Sequence, residues 1–159
     1  MTHALTLRPI TDADLPFLRQ VYGSTRAEEL ALIDWGDVQK AAFIQQQFDA
    51  QHRYYQQNYA GAQFQIIEWV GQPVGRLYLV EWPDEVRIID IALLPEYRGR
   101  GFGSQLLGGV RAWGARLNKP VTIHVERFNP ALRWYERLGF KQVEDKGVYL
   151  LLKWTPPAP

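Results

Sequence analysis

Residues 89–107 read IDIALLPEYRGRGFGSQLL: an apolar run, a proline, three glycines and two arginines between Tyr97 and Ser104, then apolar residues again. The order predicts a strand ending at Pro95, a turn of bare backbone, and a helix whose first N–H groups have no acceptor of their own. Such a handover from strand to helix is an anion cradle, and phosphate is its usual guest. The same residues would also suit a tight turn on an arginine-decorated surface. Two better-known phosphate motifs are excluded. GRGFGS fails G-x-G-x-x-G because Ser104 stands where the last glycine belongs, and no Lys-Ser/Thr pair follows as in a P-loop.

Downstream of the cradle, Leu106, Leu107, Val110, Gly114 and Leu117 trace one helical face, and VTIHV (121–125) then makes a short strand. Asn129 before Pro130 is a cap with proline at the first helical position, and Gly139 sits where a left-handed C-terminal residue belongs, so PALRWYERL is the enclosed helix. GFKQVED and VYLLLKW close the chain as two strands. Upstream, ALTLRPI reads as a first strand. TDADLPFLRQVYG then offers a capping Thr11 or Asp12 and a helix that ends near Gly23. Val38–Tyr59 is a second amphipathic helix with Ala41, Ile44, Phe48, Tyr55 and Tyr59 on one face. QFQIIEWV and VGRLYLVEW flank a GQP turn and lead into EVRIIDIALL, so three strands form an antiparallel meander. Strands first and strands alternating with helices later predict a mixed α/β sheet with helices on its faces.

The chain has 159 residues, which suits a single domain over 1–155 followed by a frayed tail at 156–159. It has no cysteine, which excludes a thiol nucleophile and thiolate metal sites and suits a reducing compartment. Eighteen basic residues against seventeen acidic ones give a net charge of +1, so no chain-wide field recruits a nucleic-acid backbone. MTHALTLRPI lacks the apolar core of a signal peptide, and no run of about 18 apolar residues offers a membrane span. A soluble cytoplasmic protein without membrane or nucleic-acid partners is expected.

R-x-x-G-x-G, from Arg98 through Gly101 to Gly103, resembles the pyrophosphate loop of the GNAT superfamily of acyl-CoA N-acyltransferases. IDIALLPEYRGRGFGSQLL looks like that family's fourth strand, loop and third helix, and NPALRWYERLGF (129–140) like its fourth helix and the strand after it. The resemblance covers nearly the whole chain and fades between Gly23 and Tyr59. It implies about seven strands with four helices on the sheet faces, splayed between strands 4 and 5, and acetyl-CoA as acyl donor without a metal. It also implies roles by position. Ile91 and Leu93 would hydrogen-bond the pantetheine arm through their backbone. Amides from Arg98 or Gly99 through Arg100, Gly101, Phe102 and Gly103 to Ser104 would wrap the pyrophosphate, Arg100 adding its guanidinium. Asn129 would contact the middle of the arm.

For the chemistry, the resemblance directs Tyr135 at the cofactor sulfur, although Tyr135 would equally pack with Ala131, Leu132 and Leu138 on an inner helix face. His124 replaces the carboxylate that some members carry on the fifth strand, which makes it a candidate general base. Strand alternation puts it on one face with Thr122 and Glu126. Asp90, Glu81 and Glu126 compete with it, as does water. The family's acceptor wall corresponds here to STRAEELALIDWGDVQK (24–40), where Glu28, Glu29, Asp34 and Asp37 surround Trp35, a composition for a cationic amine or for a solvated loop. The function expected is acetyl transfer from acetyl-CoA to a primary amine, on a small molecule or a peptide, by direct attack. A non-catalytic acyl-CoA-binding regulator is the alternative. The resemblance also allows a homodimer.

Overall fold

Residues 4–158 are described by a computed structural model, in the order β1 (Leu5–Pro9), α1 (Leu15–Ala31), α2 (Asp37–Asn58), β2 (Gln63–Trp69), β3 (Gln72–Glu81), β4 (Val86–Leu93), α3 (Phe102–Leu117), β5 (Val121–Glu126), α4 (Leu132–Arg137), β6 (Lys141–Asp145) and β7 (Tyr149–Trp154). The expectations placed on Met1–His3 and on Pro159 lie outside the described residues. The seven strands are hydrogen-bonded in the order β1-β2-β3-β4-β5-β7-β6. β4 and β5 are parallel, and β5–β7 and β6–β7 antiparallel. The parallel register runs from Val86 opposite Val121 to Ile88 opposite Ile123, and β4 continues beyond it to Leu93 and β5 to Glu126. This is the mixed α/β sheet with four helices that the sequence predicts.

The chain divides into two compact units, one of residues up to Leu77 with Ile91–Arg98, the other of Tyr78–Asp90 with the residues from Gly99 on. In the first, β1 pairs antiparallel with β2, and Leu18, Val21, Phe48, Ile66, Ile67 and Val74 are fully buried. Thr11 opens a turn of 3-10 helix, Asp12–Asp14, that leads into α1, its N–H donating to Asp14 Oδ2 at 2.7 Å. Arg8, which also lies 3.3 Å from Glu68, donates to the same carboxylate at 2.8 and 2.9 Å, and this pairing, with the Thr11 N–H, holds the Asp14 carboxyl down at about 2.

Two expectations change here. α1 does not stop near Gly23 but runs to Ala31. A Cβ at Gly23 would stand 3.4 Å from Ile44 Cγ2 of α2, and Ser24 and Thr25 turn their hydroxyls back to the carbonyls of Val21 and Tyr22. Packing against α2 and burial of Leu30 outweigh the cost of a mid-helix glycine, about 1 kcal/mol. The β2–β3 turn is Val70–Gly71, with φ of 52° and 74°, and not GQP, since Gln72 and Pro73 already belong to β3. Two successive residues at positive φ give the turn whose twist matches its flanking strands.

In the second unit, β5 lies between β4 and β7, and Val121, Ile123, Val125, Leu150 and Leu152 are buried. α3 buries the face read from its spacing: Leu106, Leu107, Val110 and Gly114, with Phe102 at its start. A Cβ at Gly114 would come within 2.9 Å of Val121 Cγ2, so this glycine lets α3 sit down on β5. α4 begins two residues after Pro130 and ends before Gly139, whose φ is +97°.

Candidate active site

The segment from β4 to α3 is built by local backbone geometry. After β4, Pro95–Tyr97 form one turn of 3-10 helix, and Arg98 is extended. Its guanidinium is used by the fold: Nε donates to the Leu93 carbonyl at 3.0 Å and Nη2 reaches Ser24 Oγ at 3.4 Å. Its N–H is engaged as well, donating to the Pro95 carbonyl at 3.2 Å. The Leu93 carbonyl likewise has one acceptor position filled, and the Leu94 N–H bonds Val74 O. Ile91 and Leu93 are half-buried at the end of β4.

Gly99 and Gly101 have φ of +73° and +83°, and a Cβ at either would meet nothing within 4 Å. Gly101 is the N-cap of α3, and the Gln105 N–H donates to its carbonyl at 3.1 Å as the first helical bond. The amides of Phe102, Gly103 and Ser104 therefore head the helix, where the peptide dipoles leave a partial positive charge. Arg100, Gly101 and Ser104 are exposed, whereas the Phe102 side chain is turned inward. Gly103 differs from its neighbours, because the Trp134 ring would lie 3.1 Å from its Cβ and Trp134 Nε1 donates to Ser104 Oγ at 3.3 Å. Trp134 was not marked by the sequence, since a tryptophan inside a short helix carries no spacing signal of its own.

Asn129 caps the turn into α4, its Oδ1 accepting the Ala131 N–H at 2.8 Å while its carbonyl accepts from Leu132. Tyr135 is 6% exposed and packs edge-on to Phe140 and against Trp134. Burial, and then the charge of Asp90, push its hydroxyl up to about 12. At neutral pH the hydroxyl stays protonated and can donate a hydrogen bond.

His124 shares its face of β5 with Thr122 and Glu126, as strand alternation requires. The parallel register adds Arg87 of β4 opposite Thr122. Arg87 donates through Nε to Thr122 Oγ1 at 2.8 Å and lies with Nη1 3.1 Å from His124 Nδ1, while its guanidinium covers the Trp82 ring at 4.9 Å. Thr122 donates to Glu85 at 2.6 Å. His124 Nε2 is buried with no partner among the described residues. Burial, then the charges of Arg87 and Lys146, lower the His124 pKa against the opposing Glu144 and Glu85. Arg87 escaped the sequence reading, although an arginine inside the apolar run VRII was a usable signal, and Thr122 was read only as a neighbour of His124 on the strand face. Of the competing carboxylates, Glu81 pairs with Lys119 at 2.6 Å, Glu126 is exposed at the end of β5, and Asp90 is half-buried on β4.

In the first unit, the acidic stretch around Trp35 is partly answered from within. Arg26 pairs with Glu29 at 3.0 Å and lies over the rings of Tyr22 and Phe43, and Trp35 packs edge-on to Phe43.

Residues 27–140, which hold the glycine loop, His124, Asn129 and Tyr135, match the model of the Acetyltransferase (GNAT) family. The chain belongs to the GNAT family. Among curated relatives, it is 36% identical over 91 residues to a mycothiol acetyltransferase of Corynebacterium glutamicum, covering 53% of this chain and 30% of that protein. It is 34% identical over 67 residues to a [ribosomal protein bS18]-alanine N-acetyltransferase of Haemophilus influenzae, covering 42% of this chain and 46% of that one. The chain thus spans less than half the length of either relative. Among solved structures, the PaiA N-acetyltransferase of Thermoplasma acidophilum in complex with coenzyme A superposes with a TM-score of 0.72 at 17% identity, over 96% of this chain and 99% of that one, and so shares the GNAT fold.

Proposed function

We propose that the chain is an N-acetyltransferase that moves the acetyl group of acetyl-CoA to a primary amine by direct attack, without a covalent enzyme intermediate. One observation carries the reading: Gly99 and Gly101 hold left-handed backbone with open space where side chains would be, at the head of α3, within R-x-x-G-x-G. Amides at the head of α3, in a stretch where Arg100, Gly101 and Ser104 are exposed, suit a pyrophosphate. On this reading the amides from Gly99 through Ser104 wrap the pyrophosphate, since the Arg98 N–H is held by the Pro95 carbonyl. The Ile91 and Leu93 backbone, with Asn129, holds the pantetheine arm, and Asn129 does so with its Nδ2 donors, since its Oδ1 caps the chain.

Direct attack needs a neutral amine, a stabilised oxyanion and a hydrogen bond for the departing sulfur. A lysine-like amine near 10.4 costs about 4.6 kcal/mol to hold neutral at pH 7, so burial of the amine or outward transfer of its proton to water has to supply that difference. Tyr135 at about 12, against a free thiol near 8.5, makes complete proton transfer uphill by roughly 5 kcal/mol. Its role is then a hydrogen bond to the sulfur and not full protonation. The soluble cytoplasmic setting expected from the sequence belongs to the same proposal.

The test is a calorimetric titration with acetyl-CoA followed by an amine panel scored by product mass. One relative is named for a ribosomal-protein alanine and another for mycothiol, so the panel includes a peptide with an N-terminal alanine as well as small-molecule amines. Saturable binding, acetylated amine, and no acetylated protein when acetyl-CoA is given alone are the expected results. Binding without turnover on any amine would move the chain to the regulator class.

A further inference from the structure

The polar cluster on β4 and β5 has a direction. The Glu85 carboxylate can only accept, so the Thr122 hydroxyl donates to it at 2.6 Å and turns a lone pair to Arg87 Nε at 2.8 Å. The guanidinium of Arg87, a buried residue, lies 4.9 Å from the centre of the Trp82 ring and has no lone pair to offer. Its Nη1 therefore donates to His124 Nδ1 across 3.1 Å, which requires Nδ1 to be unprotonated. The proton of the neutral ring is left on Nε2, and that atom is buried with no partner among the described residues. The chain of donors ends at an unused N–H.

We infer that His124 is a hydrogen-bond donor, through Nε2–H, to a carbonyl oxygen of the reacting molecules, that Arg87 is the positioning residue fixing this tautomer, and that His124 is not the general base. The inference rests on the acetyltransferase reading above and deepens it. A ring in this state has no basic nitrogen free, because the one lone pair faces a cation. Burial first, and then the charges of Arg87 and of Lys146 from the β6–β7 hairpin, favour the neutral ring against Glu144 and Glu85. The amine's proton then leaves to water. The oxygen belongs to the thioester carbonyl or to a carbonyl of the acceptor.

Two substitutions separate donor from base. His124→Gln keeps an N–H donor and cannot take a proton, whereas His124→Glu offers a base and, ionised beside Arg87, no donor. A donor role predicts that the Gln enzyme keeps turnover within about tenfold and the Glu enzyme loses on the order of 100-fold. The reverse order would overturn the inference. A loss in kcat marks the thioester oxygen as the partner, and a rise in the acceptor KM marks the acceptor's own oxygen. Ring 15N NMR of the free protein reads the tautomer without any turnover, with His124→Gln assigning the signals. The expected result is unprotonated Nδ1 at pH 7, with Arg87→Met giving a tautomer mixture and an upward shift in the His124 titration. Protonated Nδ1 in the wild type, or no change in Arg87→Met, would defeat the inference even if both His124 variants were inactive. Should no amine be acetylated at all, the functional reading fails while the tautomer is still decided.

Discussion

Gly75 and Gly101 are glycines for opposite reasons. A Cβ on Gly75, within β3, would stand 2.2 Å from the Ala92 carbonyl oxygen and 3.0 Å from Leu93 Cα, so the space is already filled by the chain. A Cβ on Gly101 would meet nothing within 4 Å, but the backbone there is left-handed at φ +83°. The first glycine serves the chain's own close approach, whereas the second keeps a conformation that exposes peptide groups to an open space. Gly103, filled by Trp134, belongs with Gly75, and Gly99, open at φ +73°, with Gly101. Glycines that share a sequence motif therefore divide by what surrounds them, and only the open ones leave room for the proposed ligand.

The largest expected effect tests the open kind. Gly101→Asp puts a carboxylate where the pyrophosphate is proposed to lie and forces a side chain into left-handed backbone. Repulsion of several kcal/mol with strain of about 1–2 predicts a loss of acetyl-CoA affinity on the order of 1,000-fold or more by calorimetry. Unchanged affinity would remove the loop from the site.

Next in size is the filled kind. Gly75→Ala must displace backbone, for a predicted cost of about 2–4 kcal/mol and a Tm lower by roughly 5–15 °C, read by thermal unfolding. A Tm within about a degree of wild type would show that the contact relaxes freely and would erase the contrast with Gly101.

The same contrast explains what the sequence could reveal. The buried face of α3 was legible because Leu106, Leu107, Val110 and Gly114 repeat at helical spacing, and periodicity and burial have one cause. The left-handed backbone at Gly99 and Gly101 was legible because positive φ selects glycine, and so leaves a mark in the chain. Gly23 misled because a glycine inside a helix looks like a glycine that ends one, and the difference lies in Ile44 on another helix. Val70 at φ 52° misled in the opposite sense, since a β-branched residue is rare in that conformation. Arg87 was visible as a letter only. Its relation to Thr122, Glu85 and His124 comes from the parallel register of β4 and β5, which no local pattern encodes.

The smallest effect concerns Tyr135, which lies in filled space like Gly75 but carries one polar atom. Tyr135→Phe keeps the ring against Phe140 and Trp134 and removes only the hydroxyl. If that hydroxyl serves the departing sulfur, turnover falls by about tenfold with near-normal acetyl-CoA affinity, and an unaltered rate would leave Tyr135 a packing residue. A second readout needs no substrate. Burial and Asp90 raise the hydroxyl from its ordinary value near 10 to about 12, so the folded protein holds this proton more tightly than the unfolded chain. The resulting stability is fully present below pH 10 and is lost as pH rises through 12, amounting to about 1.4 kcal/mol by pH 11. Denaturant unfolding at pH 8 and pH 11 should show that decrement in the wild type and its absence in Tyr135→Phe. Equal slopes in both proteins would mean that the hydroxyl reaches solvent, and would place Tyr135 with the open glycines instead of the filled ones.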